Sequence, residues 1–97
     1  MARPAPLTLE EIEQALESLD GWRYEEGHLR RTFEFDDFAG AFDWMKRVAE
    51  VAEAEDHHPE WCNVYGRVNV ALRTHDASAV TSYDVELARA MDRLASA

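Results

Sequence analysis

Two short stretches limit what this chain can become. "WRYEEGHLRRTFEF", residues 22–35, and "CNVYGRVNVALRT", residues 62–74, each carry strand-forming residues on both sides of a glycine-marked break. A strand, a tight turn and a second strand, with no room for a crossover, make a hairpin, and hairpins build antiparallel sheet. In the first stretch Trp22, Tyr24, Leu29, Phe33 and Phe35 supply the apolar positions and Glu26-Gly27 the turn. His28 falls beside that turn and is expected to be exposed. In the second, Val64, Val68, Val70 and Leu72 are expected on one face and Asn63, Arg67, Asn69 and Arg73 on the other, with Gly66-Arg67 as the turn.

Helical patterns fill the remaining chain. In "LTLEEIEQALESL", residues 7–19, Thr8 and Glu11 form a capping box and Leu7 and Ile12 take the flanking staple positions. Leu9, Ile12, Leu16 and Leu19 make its buried stripe, and Asp20-Gly21 stops it. A long central helix follows, with Asp36 or Asp37 as its cap. It carries two apolar stripes: Phe38, Phe42, Met45, Ala49 and Ala52, beside Ala41, Trp44, Val48 and Val51. One helix with two stripes can serve two interfaces. Pro59 disfavours helical geometry at His58, so this helix must end near the adjacent histidines 57 and 58. Thr81 and Asp84 repeat the capping pattern ahead of a last helix that buries Val85, Ala88, Met91 and Leu94 or Ala95. The order α-β-β-α-β-β-α predicts an α+β fold, a four-stranded antiparallel sheet with three helices packed on one face. Residues 1–97 are expected to form a single domain, with "MARPAP", residues 1–6, as a flexible leader.

Charge and cysteine content exclude several function classes. A formal net charge of −10 opposes a sequence-independent grip on nucleic acid phosphates. Cys62 is the single cysteine, so no internal disulfide framework exists, and no apolar run is long enough for a membrane span or a signal peptide core. A cytoplasmic protein, with no membrane and no direct nucleic acid partner, is the expectation. No phosphate-binding glycine loop is present, and Cys62 lies on an expected strand without an oxyanion loop around it.

The chemistry-bearing residues cluster instead around "EAEDHHPEW", residues 53–61. Glu53 and His57 stand four apart, hence on one side of the long helix if it runs that far. His75 is expected to end the fourth strand, and a hairpin sets the start of the third strand beside the end of the fourth. His57, His58, Trp61 and His75 are therefore expected to converge at one end of the sheet, with Asp84 near enough in sequence to join them. Imidazole is the side chain best suited to moving protons near neutral pH. Each residue also has a plainer reading: Glu53 as a solvated helix charge, His58 as a loop residue, Asp84 as only the partner of Thr81. A metal centre is disfavoured because adjacent histidines rarely chelate one ion and no familiar zinc spacing appears.

The spacing of Glu53, His57-His58-Pro59, Tyr65, His75 and Asp84 resembles the signature of the pterin-4a-carbinolamine dehydratases. The likeness extends through "GW" at 21–22, "RTFEF" at 31–35, "VAEVAE" at 48–53, "HHPEW" at 57–61, "TH" at 74–75 and "LA" at 87–88. It departs in the loop "DASAVT", where the family usually has glycine and where Ser78 and Ala79 adopt positive φ less freely. The resemblance implies a four-stranded sheet with helices on one side, paired sheet to sheet in homodimers, with homotetramers formed through helices. It implies loss of water from a 4a-hydroxytetrahydropterin to give quinonoid dihydropterin, in recycling the cofactor of an aromatic amino acid hydroxylase. No metal and no organic cofactor are implied. Carried over by position, His57 and His75 would exchange the protons and His58 would assist and bind the pterin. Glu53 and Asp84 would orient the imidazoles, and Pro59 and Trp61 would shape the pocket wall. Animal members of the family also partner a homeodomain transcription factor, so a pure interaction module is the competing class, carried by the second stripe of the long helix.

Overall fold

The computed structural model describes residues 4–96. Its elements are α1 (Leu9–Leu16), β1 (Arg23–Glu25), β2 (His28–Glu34), α2 (Phe38–Ala54), β3 (Glu60–Val64), β4 (Arg67–Leu72), a 3-10 turn (His75–Ala77) and α3 (Ser82–Ser96). The strands form one antiparallel four-stranded sheet in the spatial order β1-β2-β4-β3, so the two hairpins join through β2 and β4. This is the α+β arrangement that the hairpin and capping signals predict.

Register decides which face the helices cover. Leu29 pairs with Leu72 and Phe33 with Val68, and all four are buried on the inner face. One residue along, Thr32 pairs with Asn69 and Cys62 with Asn69, and these stand exposed on the outer face. The inner face meets α2 through Phe33 and Trp44, whose ring centroids are 4.4 Å apart. Trp44 then donates its Nε1 hydrogen to the Met91 carbonyl at 3.1 Å, satisfying a buried indole while binding α2 to α3. Arg31 is an inner-face cation, and Asp92 of α3 accepts from both its Nη1 and the Trp22 Nε1 at 2.8 Å.

Several local expectations change. The Thr8–Glu11 capping box forms, but α1 stops at Leu16, and Leu19 reaches the core from the following turn. Leu9 is 59% exposed, because Leu7 packs on the core in its place, tied by its N–H to the Val80 carbonyl at 2.9 Å. Of the expected leader, residues 1–3 lie outside the described residues and Pro4–Pro6 carry no regular secondary structure. Asp37 is the α2 cap, accepting from the Gly40 N–H at 2.8 Å. Of the two stripes on α2, the second, expected to carry a partner, enters the core through Ala41, Trp44 and Val48, whereas Phe38 and Phe42 of the first stack on each other at 5.7 Å, half exposed.

The second hairpin turns one residue earlier than expected. Val64 pairs with Arg67, so the turn is Tyr65-Gly66, with Tyr65 at φ 51. Across a two-residue turn even-numbered residues pair with odd-numbered ones, so Val64 shares its face with Arg67 and Asn69 and not with Val68. Val64 accordingly lies on the outer face, 52% exposed, apart from Val68, Val70 and Leu72. Gly66 is needed for close approach: its carbonyl accepts from the Phe35 N–H at 2.8 Å, and a Cβ on Gly66 would collide with the Phe35 carbonyl oxygen. Gly66→Ala is therefore expected to lower unfolding free energy by about 2 kcal/mol, from the displaced backbone contact. Urea denaturation measures this, and an unchanged midpoint would show that the hairpin yields without strain.

Candidate active site

The end of α2 aims His57 into the protein. Asp56 takes the left-handed conformation at φ 50, its N–H bonds to the Glu53 carbonyl at 3.2 Å, and the His57 N–H bonds to the Ala52 carbonyl at 3.0 Å. That pair of bonds is a Schellman closure, here with aspartate where glycine is commonest. His57 leaves the helix 6% exposed, with Nε2 2.6 Å from Asp84 Oδ1. Asp84 is fully buried, and its Oδ2 accepts from the Thr74 hydroxyl at 2.9 Å and the Thr81 N–H at 2.8 Å. The Thr74 hydrogen being committed to Asp84, Thr81 donates its own hydroxyl hydrogen to Thr74 at 2.6 Å. Asp84 thus caps α3 and holds His57 at once.

The other two imidazoles are exposed, and each also faces a carboxylate. His58 Nε2 lies 2.8 Å from Glu53 Oε1. The expected alignment of Glu53 with His57 fails, because α2 ends at Ala54 and His57 is turned inward beyond it. His75 does not end a strand: β4 stops at Leu72, and His75 opens the 3-10 turn with Nε2 3.4 Å from Glu60 Oε2. The same Glu60 oxygen lies 3.2 Å from Nε2 of His28, which is half-buried rather than exposed as expected. Burial pushes the Glu60 carboxyl up, but hydrogen bonds and charge from His75 and His28 prevail and hold it below its ordinary value.

His57, His58 and His75 line one cleft of about 140 Å³ with Asp56, Arg73, Thr74 and Asp76. Pro59 and Trp61 do not line it. They form, with Glu53, Ala49 and the far side of His58, an open and more apolar groove of about 680 Å³, where Trp61 packs near Trp44 at 6.1 Å between centroids. Arg73 Nε is buried without a hydrogen-bond partner among the described residues. Ser78, in the loop that departs from the family pattern, takes the left-handed conformation directly, at φ 50, with its N–H on the His75 carbonyl at 3.1 Å. A left-handed non-glycine residue costs about 1 kcal/mol, and two of them, Asp56 and Ser78, flank the histidines. Sequence reasoning passed over Glu60, Arg73, Thr74 and His28; the signal for the first three was adjacency to the histidines, and His28 had none. Among the described residues, no group of three or more His, Cys, Asp or Glu side chains is arranged to hold a metal ion.

Fold and cleft together define a small α+β protein with a histidine-lined pocket at one end of its sheet. The profile of the family described as Pterin 4 alpha carbinolamine dehydratase matches residues 5–94, and this chain belongs to that family. A "Putative pterin-4-alpha-carbinolamine dehydratase" of Bradyrhizobium sp. (strain ORS 278) is 54% identical over 94% of this chain and 93% of its own length. A protein of the same name from Rhodopseudomonas palustris (strain HaA2) is 55% identical over 92% of this chain and 90% of its own. A crystal structure described as a transcriptional coactivator/pterin dehydratase from Brucella melitensis superposes with a TM-score of 0.91 at 44% identity, covering 93% of this chain and 98% of that one.

Removing Asp84 would leave the His57 ring, the Thr74 hydroxyl and the Thr81 N–H without their common acceptor. Asp84→Ala is expected to cost about 3 kcal/mol of stability, read by urea denaturation, against less than about 0.5 kcal/mol for an exposed carboxylate such as Glu13→Ala. Equal effects from the two would show that the buried cluster is not a point of support.

Proposed function

We propose that this chain is a 4a-hydroxytetrahydrobiopterin dehydratase, eliminating water to give the quinonoid dihydropterin through histidine acid/base catalysis. The observation that carries the reading is the meeting at one cleft of three imidazoles, each facing its own carboxylate. The dehydratase named in the relatives' descriptions supports it.

The 4a-hydroxyl is a poor leaving group until protonated, and the adjacent ring nitrogen that drives its expulsion must then lose a proton, so one acid and one base suffice. His57 and His75 fill these roles, with His58 assisting and binding the pterin. A carboxylate only accepts, so Asp84 keeps hydrogen on His57 Nε2 and makes Nδ1 the nitrogen that exchanges protons. Glu53 orients His58, and Pro59 and Trp61 wall the adjoining groove. Since the steps are proton transfers alone, the reading calls for no metal and no organic cofactor. The whole chain acts as one cytoplasmic domain, consistent with the lack, among the described residues, of any helix long and apolar enough to cross a membrane. Its pterin serves an aromatic amino acid hydroxylase.

The chain assembles as a homodimer or homotetramer, with sheets pairing in the dimer and the exposed stacked pair Phe38–Phe42 on α2 joining dimers in the tetramer. The same pair favours one other reading, an interaction module, in line with the coactivator named for the Brucella structure. Activity separates them. Wild type is expected to accelerate the absorbance change as chemically generated 4a-hydroxytetrahydropterin dehydrates, and His57→Ala and His75→Ala to lose about a hundredfold while still folded. A wild type that leaves the spontaneous rate unchanged would end the dehydratase reading. Phe38→Ser with Phe42→Ser is expected to reduce the assembly size in gel filtration, and an unchanged elution volume would remove α2 from the subunit interface.

A further inference from the structure

His28, Glu60 and His75 come from β2, β3 and the 3-10 turn and meet on a single atom. Glu60 Oε2 lies 3.2 Å from His28 Nε2 and 3.4 Å from His75 Nε2. Both distances exceed the range of about 2.7–2.9 Å usual for a charged N–H on a carboxylate, as two donors sharing one oxygen should. The other His28 nitrogen is already committed, because Nδ1 lies 2.8 Å from the Glu26 carbonyl oxygen, which can only accept. Nδ1 therefore carries a hydrogen, and Nε2 donates to Glu60 only when the ring holds a second one. A protonated His28 draws on the carboxylate; a neutral His28 turns a lone pair toward it and lets it go.

We propose that Glu60 is a positioning residue for His75 and that His28 governs its availability by competing for the same oxygen. This rests on the reading of His75 as a proton-transfer group. The carboxylate restrains a ring that is otherwise 65% exposed, and a charged His28 competing for the same oxygen withdraws that restraint. The other titratable or charged groups nearby are Arg23, Arg30 and Arg31, which line a cavity with Glu60, and Asp56, His57, His58, Arg73 and Asp76, which line the cleft with His75. Arg23 and Arg30 are already engaged, Arg23 with Glu25 at 3.2 Å and Arg30 with Glu26 at 3.6 Å and the Glu25 carbonyl at 3.1 Å.

The test compares wild type, Glu60→Gln, Glu60→Asp and His28→Ala by pH–rate profile and by NMR titration of the His75 ring in the free protein. Glu60→Gln is expected to lower kcat about tenfold with KM within about twofold, and to move the His75 titration and its limb of the profile to lower pH. Glu60→Asp restores part of kcat. His28→Ala moves the His75 titration the opposite way, to higher pH, because a rival donor and a like charge have both gone. A His75 titration indifferent to Glu60→Gln, or moved in the same direction by His28→Ala, overturns the proposal. If wild type shows no dehydration, the functional reading falls, and the NMR titrations still decide whether Glu60 couples the two rings.

Discussion

The buried carboxylate of Asp84 is the point on which the rest of this structure leans. A charge taken fully out of water is strongly unfavourable unless every lone pair is answered, so the surrounding chain must bring donors to it. It does so from three places: the end of α2 through His57, the segment after β4 through Thr74, and the start of α3 through Thr81. The same constraint that closes the protein at this end fixes the ring of its one buried histidine among the described residues. Stability and the placement of that ring share one set of hydrogen bonds here.

Around that fixed ring the other two imidazoles are held loosely. His58 and His75 stand in solvent and pair with exposed or half-exposed carboxylates, contacts that contribute little to stability. Their placement comes from backbone instead. The left-handed Asp56 turns the chain out of α2 ahead of His58, and the left-handed Ser78 closes the turn that His75 begins. Both conformations are mildly unfavourable for residues with a Cβ, and both are held by hydrogen bonds to the helix end or turn they close. The cleft is therefore held by buried hydrogen bonds on the His57 side and by an exposed ion pair and a backbone turn on the His75 side.

Much of the architecture was legible from local signals. Capping residues, glycine turns and alternation act within a few residues, so Thr8, Asp37, Glu26-Gly27 and the alternation of Val68, Val70 and Leu72 announce their elements without reference to the rest of the chain. The second turn was misplaced by one residue because glycine at 66 reads as a turn position wanting positive φ. Its actual requirement is space against the Phe35 carbonyl, which lies thirty-one positions away and leaves no local mark. Leu9 misled for a related reason: periodicity identifies an apolar stripe but not whether a neighbouring residue, here Leu7, already covers the core beneath it.

The sequence by itself determined the element order, the antiparallel sheet and the grouping of histidines and carboxylates at one end, since all of these follow from short-range preferences and hairpin geometry. Only the tertiary structure decided the partnerships. Asp84 goes to His57, Glu53 to His58 rather than His57, and Glu60 to both His75 and His28. The physical reason is that a carboxylate within reach of several imidazoles pairs according to burial and chain direction at the helix end, and a single left-handed residue, Asp56, changes both.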